Sequence, residues 1–110
     1  MSDQLATVER EERDGELVVH LRGELDLSNV EHLRERIERE AEGATRVAIE
    51  LGEIEYIDSQ GLRLLKQLST RLGERGCALE LVAPPNSVAR SVLDLTGMSD
   101  DIPVRDALSS

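Results

Sequence analysis

The stretch "RVAIELGEIEYIDSQGLRLLKQLSTRL", residues 46–72, changes near its middle from the pattern of a strand to the pattern of a helix. Every second residue at its start is a large aliphatic one, which predicts a strand over residues 46–51. From Ser59 onward leucines recur at helical spacing, which predicts a helix that stops at Gly73 or Gly76. The leucines on that helix face are Leu62, Leu65, Leu68 and Leu72. A strand followed by an amphipathic helix is the repeating unit of α/β folds.

The residues before this stretch predict a hairpin and a first helix. Residues 5–10 and 17–22 have strand character, and the pair Asp14-Gly15 between them is typical of a hairpin turn. Ser28 with Glu31 three residues later forms the pattern of a capping box. The apolar residues that follow at helical spacing, up to a stop at Gly43, are Val30, Leu33, Ile37 and Ala41.

The residues after it predict one more strand and one more helix. Residues 77–83 have strand character, and a proline pair at Pro84 ends them. Asn86 or Ser87 is expected to cap a third helix, which stops before Gly97. Its expected buried residues are Val88, Val92, Leu93 and Leu95. The segment Ile102-Pro103-Val104 is expected to form a short edge strand, since proline is tolerated at a sheet edge.

This order of elements predicts one α/β domain over residues 1–110, with an ordered core over about residues 4–105. We expect a mixed, mainly parallel sheet of four to five strands with three to four helices. Functional loops in such sheets lie at the carboxyl ends of the strands. The loop over residues 52–59 and the "GELD" segment, residues 23–26, occupy such positions.

Composition and charge exclude several classes of function. Tyr56 is the only aromatic residue, so the core has to be aliphatic. The net charge of -10 and the lack of a basic run argue against nucleic-acid or anionic membrane partners. We find no signal peptide and no apolar run long enough to span a membrane, and a single cysteine, Cys77, is compatible with a reducing compartment. These features favour a cytoplasmic protein.

The sequence has few signs of catalytic chemistry. It contains no nucleophile elbow, phosphate-binding glycine loop or zinc-protease motif, and His20 and His32 have no metal-ligand spacing. Cys77 begins a strand and is interpreted as a core residue. The acidic residues Glu24, Asp26, Glu53, Glu55 and Asp58 leave open an acid/base or Mg²⁺ site. A phosphoacceptor receiver domain fits poorly, because the only lysine, Lys66, lies inside a predicted helix.

Three segments together resemble the STAS domain, the family of bacterial anti-sigma factor antagonists. They are "GELDLSNVEHLRERI", "VAIELGEIEYIDSQGLRLL" and "LELVAPPNSVARSVLDLTGM", which cover nearly the whole chain. The most specific part is Asp58-Ser59-Gln60-Gly61-Leu62, which is similar to the family's Asp-Ser-Ser/Thr-Gly-Leu phosphorylation motif. The resemblance therefore implies a single STAS-like domain. Gln60 departs from the family pattern, because a small hydroxyl residue is commoner there.

The resemblance implies a partner-switching protein that is not an enzyme and needs neither cofactor nor metal. Such a protein binds an anti-sigma factor, itself a serine kinase, and releases a sigma factor. Phosphorylation of Ser59 would break the complex, and a PP2C-type phosphatase would restore it. The residues expected to contact the partner are Asp26, Ser28, Asn29, Tyr56, Asp58, Gln60, Gly61 and Arg63.

Each of these residues also has a purely structural interpretation. Ser59 could be a helix N-cap, although Asp58 can fill that role. Asp26 could hold its loop by local hydrogen bonds, and Tyr56 could be a partly buried packing residue. Gly61 leaves the Ser59 hydroxyl accessible, or simply permits close backbone packing. Two other functions remain open, a cytoplasmic STAS subunit of a transporter or stress-signalling complex, and a small enzyme that uses the acidic loop.

Overall fold

A tight hairpin begins the chain in the computed structural model, which describes residues 6–108. Strand β1 (Ala6–Arg13) pairs antiparallel with β2 (Glu16–Leu25). The turn residues Asp14 and Gly15 have φ angles of 53° and 77°, the left-handed values of the two-residue turn that suits a right-twisted hairpin. The predicted turn is confirmed, and both strands run longer than predicted. Residue 5 of the first predicted strand lies outside the described residues.

The other elements alternate between helix and strand, as predicted. They are α1 (Val30–Glu40), β3 (Arg46–Ile57), α2 (Ser59–Glu74), β4 (Ala78–Val82), α3 (Val88–Thr96), a 3-10 turn (Met98–Asp100) and β5 (Val104–Arg105). The sheet order is β1-β2-β3-β4-β5, with β1 antiparallel to β2 and every other pair parallel. The expected single α/β domain with a mixed, mainly parallel sheet is confirmed. The helix α1 ends three residues before Gly43, and β5 lies further along the chain than the predicted 102–104.

The three helices contribute to one aliphatic core. Because each strand pairs with the next one along the chain, right-handed crossovers bring all three helices to the same face of the sheet. The core accordingly contains residues of every helix and of the sheet, among them Leu33, Ile37, Leu65, Leu68, Leu93, Val19, Ile49 and Leu81. Leu64 is buried as well, while Leu62 is half-buried at the edge of this core. No helix within residues 6–108 combines the length and the hydropathy that a membrane span requires.

The opposite face of the sheet has a smaller apolar patch that is bordered by ion pairs. The patch consists of Val18, Ala48 and Val82, with Leu108 packed against it. Arg105 Nη2 lies 3.0 Å from Glu16 Oε1, and Arg105 Nε lies 3.0 Å from Glu80 Oε1. The short strand β5 is therefore fixed by these charges as well as by its pairing with β4.

Strand β3 continues to Ile57 instead of ending at Leu51 as predicted. Its apolar residues beyond Leu51 recur every third position, whereas a regular strand alternates with period two. Two register shifts against β2 explain the difference, because each inserts one extra residue into β3 and so returns Ile54 and Ile57 to the core face. At the first shift, the N–H of Gly52 donates to Glu50 Oε2 at 2.9 Å. The predicted loop over residues 52–59 is therefore mostly strand.

The buried side of α3 differs from the prediction. Leu93 is buried and Val92 is half-buried, but Val88 and Leu95 are exposed by 47% and 87%. Residues seven positions apart lie on the same side of a helix, and in α3 this side points away from the sheet. The residue that shares the buried side with Leu93 is Ala89, which a search for large aliphatic residues overlooks. The expected cap is confirmed, since Ser87 Oγ accepts the N–H of Arg90 at 3.1 Å.

A partly exposed ion cluster joins α1 to α2. The Glu38 carboxylate accepts hydrogen bonds from Arg34 Nη1 at 3.0 Å and from Arg71 Nε at 2.6 Å. Burial by itself raises the pKa of Glu38, but the hydrogen bonds and charges of Arg71 and Arg34 outweigh it, so the pKa lies below its ordinary 4.5. A carboxylate with a lowered pKa stabilises the fold fully above its ordinary pKa. That contribution is lost as the pH falls through the lowered value.

We expect Glu38→Gln to lower the free energy of unfolding by about 1 kcal/mol at pH 7, since it removes the carboxylate that Arg34 and Arg71 share. The difference from the parent should shrink as the pH falls below the ordinary pKa of 4.5, because the parent then loses the same charge. Thermal unfolding between pH 7 and pH 3.5 measures both effects. Glu35→Gln, at an exposed position of the same helix, is the matched control. If the stability difference between the parent and Glu38→Gln stayed constant from pH 7 to pH 3.5, the lowered pKa of Glu38 would be contradicted.

Candidate functional site

Helix α2 begins where the side chain of Asp58 satisfies its first backbone donors. Asp58 has extended backbone angles, and its Oδ1 accepts the N–H groups of Gln60 at 2.9 Å and Gly61 at 3.0 Å. Asp58 is therefore the N-cap, and Ser59 is the first helical residue, with an exposed side chain. The interpretation of Ser59 as the cap does not hold, so its hydroxyl is not needed to start the helix.

Gly61 is the point at which α2 touches the end of β2. A Cβ at this position would lie 2.7 Å from the carbonyl oxygen of Leu25 and 2.8 Å from Cγ1 of Ile57. Real Cβ atoms essentially never come so close to another atom. The N–H of Asp58, three residues earlier, donates to the same Leu25 carbonyl at 3.1 Å. The close packing that was one interpretation of Gly61 is thus present. It fixes the N-terminus of α2 against the segment that leads into α1.

The segment after β2 is held by Asp26, not by the predicted capping box. Asp26 Oδ1 accepts both the N–H of Ser28 at 3.0 Å and its hydroxyl at 2.6 Å. The Ser28 hydroxyl is therefore engaged, and the residue at the N-cap of α1 is Asn29, which makes no side-chain cap hydrogen bond. Glu31, the other half of the predicted box, instead pairs with Arg34. Asp26 therefore holds its loop by local hydrogen bonds, which was one of the two interpretations of this residue.

The side chain of Asn29 also stabilises this segment through two hydrogen bonds to its backbone. Its Nδ2 donates to the carbonyl of Glu24 at 2.8 Å, and its Oδ1 accepts the N–H of Asp26 at 3.2 Å. The side chain is half-buried. Both ends of the amide are thus used inside the protein, so Asn29 shapes this segment, and its contact with a partner stays a prediction.

These contacts bring two distant parts of the sequence to one open cleft of about 350 Å³. We call it the Ser59 cleft because its lining residue Asp58 immediately precedes Ser59, which is not itself among the lining residues. Its lining residues are Asp26, Leu27, Ser28, Tyr56 and Asp58. Four of these were predicted partner-binding residues, and the structure places them together. Gln60 is half-buried and Arg63 is exposed on α2, outside the lining. Leu27, exposed by 73%, was not predicted, although a leucine between two polar turn residues is a signal that could have shown it.

Other reactive side chains lie apart from the cleft. Burial raises the pKa of the Cys77 thiol, which keeps it protonated and unreactive in the core. His20 Nε2 lies 2.6 Å from Glu11 Oε1, and this contact lowers the pKa of Glu11. Within residues 6–108, no three acidic, histidine or cysteine side chains are placed to hold a metal ion. Asp26 and Asp58 line the cleft, and among residues 6–108 no third such side chain joins them to form a metal site.

The family follows from comparison with known sequences. The profile of the STAS domain matches residues 7–110. The chain belongs to the STAS domain family. This match and the observed sheet bear out the family resemblance of the three segments and the single STAS-like domain.

Two sequence relatives of this STAS domain have regulatory names. It is 30% identical over 95 residues to BtrV of Bordetella bronchiseptica, which is named as an anti-sigma factor antagonist, and the match covers 86% of this chain and 81% of BtrV. It is 34% identical over 68 residues to osmosensory protein A of Mycobacterium tuberculosis, a match that covers 62% of this chain. The aligned segment spans only 43% of that second relative.

Solved STAS structures share the fold. An anti-sigma factor antagonist from Mycobacterium paratuberculosis superposes with a TM-score of 0.82 at 27% identity, covering 97% of this chain and 91% of the other. The anti-sigma factor antagonist SpoIIAA in its unphosphorylated form superposes with a TM-score of 0.69 at 25% identity, covering 89% and 87% of the two chains. Both comparisons cover nearly the whole STAS domain.

Proposed function

We propose that this chain is an anti-sigma factor antagonist that works by binding and is controlled by phosphorylation of Ser59. It binds an anti-sigma factor that is a serine kinase, and this binding releases a sigma factor. Phosphorylation ends the complex, and a PP2C-type phosphatase removes the phosphate. The protein acts in the cytoplasm, without catalysis of its own and without a cofactor.

The position of Ser59 is the observation that carries this proposal. The serine is exposed at the first residue of α2, and the capping role belongs to Asp58. A kinase can therefore reach the hydroxyl, and its modification does not remove a contact that the helix needs. The similarity to BtrV and to two solved anti-sigma factor antagonists supports the same function.

The effect of the phosphate is expected at the interface and not in the fold. A phosphoserine adds about -1.5 to -2 charges at neutral pH, here on the residue after Asp58, whose carboxylate lines the cleft together with that of Asp26. A kinase holds the phosphates of its nucleotide next to the hydroxyl that it modifies. After transfer, the new phosphate faces the remaining diphosphate in the same complex, so the two repel each other and the complex dissociates.

The test is intact mass spectrometry with peptide mapping, after incubation with ATP and the serine kinase encoded closest to this gene. We expect one phosphate, on Ser59, and none on Ser59→Ala, which should still bind the kinase. Peptide mapping separates Ser59 from Ser28, an exposed residue of the cleft lining. Stoichiometric phosphate on Ser59→Ala would show that the site assignment is wrong.

A second candidate keeps the STAS fold and assigns it to a larger stress-signalling or transport complex as a constitutive binding subunit. The similarity to osmosensory protein A favours it, although that match spans less than half of the relative. It predicts tight binding to a protein encoded nearby without any phosphate on Ser59, so the same mass spectrum distinguishes the two functions.

A further inference from the structure

The Ser59 cleft is lined by two exposed large apolar side chains. Leu27 is exposed by 73% and Tyr56 by 50%, and both line the cleft. Exposed leucine and tyrosine side chains that share one concave site are a feature of protein-binding surfaces, and tyrosine is enriched among the residues that dominate binding energy.

Both side chains are attached to backbone that is fixed. Leu27 lies within the turn that Asp26 closes, because the Asp26 side chain accepts the N–H of Ser28 and its carbonyl accepts the N–H of Asn29. Tyr56 lies on β3, paired with Glu24 of β2. An apolar pair on ordered backbone loses little entropy on binding, so more of the contact free energy appears as affinity.

The rim of the cleft is acidic. The carboxylates of Asp26 and Asp58 line it, and Glu53 and Glu55 are exposed on the same end of β3. The hydrogen bonds of Asp26 and Asp58 within residues 6–108 all use Oδ1, which leaves Oδ2 of each for an outside donor. The complementary surface is therefore an apolar side chain surrounded by basic groups.

We propose that Leu27 and Tyr56 form the apolar anchor of the partner interface, and that they receive an apolar side chain of the anti-sigma factor flanked by lysine or arginine. This inference rests on the proposed function and adds the chemistry of the partner's surface. A second copy of this chain is disfavoured as the occupant, because it would bring its own carboxylates against Asp26 and Asp58 and carries the same net charge of -10.

The test compares two exposed leucines in the full chain. Leu27→Ser removes the anchor, and Leu95→Ser removes an apolar side chain exposed by 87% on α3, outside the cleft lining. Isothermal calorimetry with the serine kinase of the mass-spectrometry experiment, in the presence of ADP, should show a Kd at least about ten-fold weaker for Leu27→Ser. Leu95→Ser should stay within about two-fold of the parent. Both variants should keep the parent's Tm, because both side chains are exposed.

Equal affinities of Leu27→Ser and the parent would overturn the anchor while leaving the proposed function intact. A parent chain that the kinase neither binds nor phosphorylates would overturn the proposed function and the anchor with it. Sedimentation of the parent alone gives the third outcome. If the parent is a homodimer and Leu27→Ser dissociates it, the occupant of the cleft is a second copy of this chain. That result would overturn the proposal that the cleft receives a basic surface of the anti-sigma factor.

Discussion

Gly61→Ala is expected to lower the free energy of unfolding by about 2–3 kcal/mol, and the Tm by roughly 10 °C. Alanine favours a helix interior over glycine by about 1 kcal/mol, so propensity alone predicts the opposite sign. The destabilisation comes from the new methyl, which would lie 2.7 Å from the Leu25 carbonyl and 2.8 Å from Ile57 Cγ1. Relief requires α2 to move away from β2, which also weakens the hydrogen bond from Asp58 to Leu25.

Gly73→Ala provides the matched control for this prediction. Gly73 lies in the same helix, and beyond its chain neighbours and the backbone of that helix, a Cβ there would meet no atom within 4 Å. That substitution is expected to stabilise the protein by about 0.5–1 kcal/mol through propensity alone. Urea unfolding of the two variants at pH 7 measures both changes. If Gly61→Ala were as stable as Gly73→Ala, the close contact between α2 and β2 would not constrain the site.

Phosphorylation of Ser59 is expected to weaken the complex with the kinase about 100-fold, which corresponds to about 3 kcal/mol. The fold should change little, because a phosphate at a helix N-terminus is stabilising by only about 0.3 to 1 kcal/mol. The phosphate cannot simply replace the cap, since Asp58 already accepts the N–H groups of Gln60 and Gly61. The added charge therefore stays on the surface that the proposed partner would cover.

Calorimetry on the purified phosphoprotein with ADP-bound kinase measures this loss, and thermal unfolding checks the fold. Thr70→Asp is the control for charge alone, since it adds a carboxylate at an exposed position of the same helix. It lies about 16 Å further along the axis at 1.5 Å per residue. The affinity of Thr70→Asp for the kinase should match that of the parent. The affinity of Ser59→Asp should fall between those of the parent and the phosphoprotein. If the phosphoprotein bound the kinase as tightly as the parent does, the proposal that phosphorylation of Ser59 ends the complex would be wrong.

The features that could be predicted from the sequence depend on neighbouring residues. The Asp14-Gly15 turn, the start of α2 at Asp58-Ser59 and the Ser87 cap each follow from short-range turn and cap chemistry. The alternation of strands and helices follows from hydrophobic periodicity, which reports one face of an element at a time. These signals were enough to predict the fold and to place Ser59 at the start of a helix.

The features that could not be predicted depend on contacts between elements or on competition among local contacts. The extension of β3 was missed because its bulges exist only relative to β2. The Ser28 cap was wrong because the helix begins one residue later than expected, with Asn29 at the N-cap, while the Ser28 hydroxyl donates to Asp26. Leu95 has the same chemistry as the buried Leu93, and only packing against the sheet decides which of them is covered.

The two bulges of β3 also bear on how the length of this segment can vary among relatives. Between the same paired ends, β3 uses residues 47–57 where β2 uses residues 17–25, and the register beyond each bulge is regular. A bulge holds one surplus residue, so gaining or losing that residue leaves the later pairs on their original faces. Relatives are therefore expected to differ by one-residue insertions or deletions near Gly52 and Glu55. Such changes would alter the acidic rim of the cleft while Ser59 keeps its place at the end of β2.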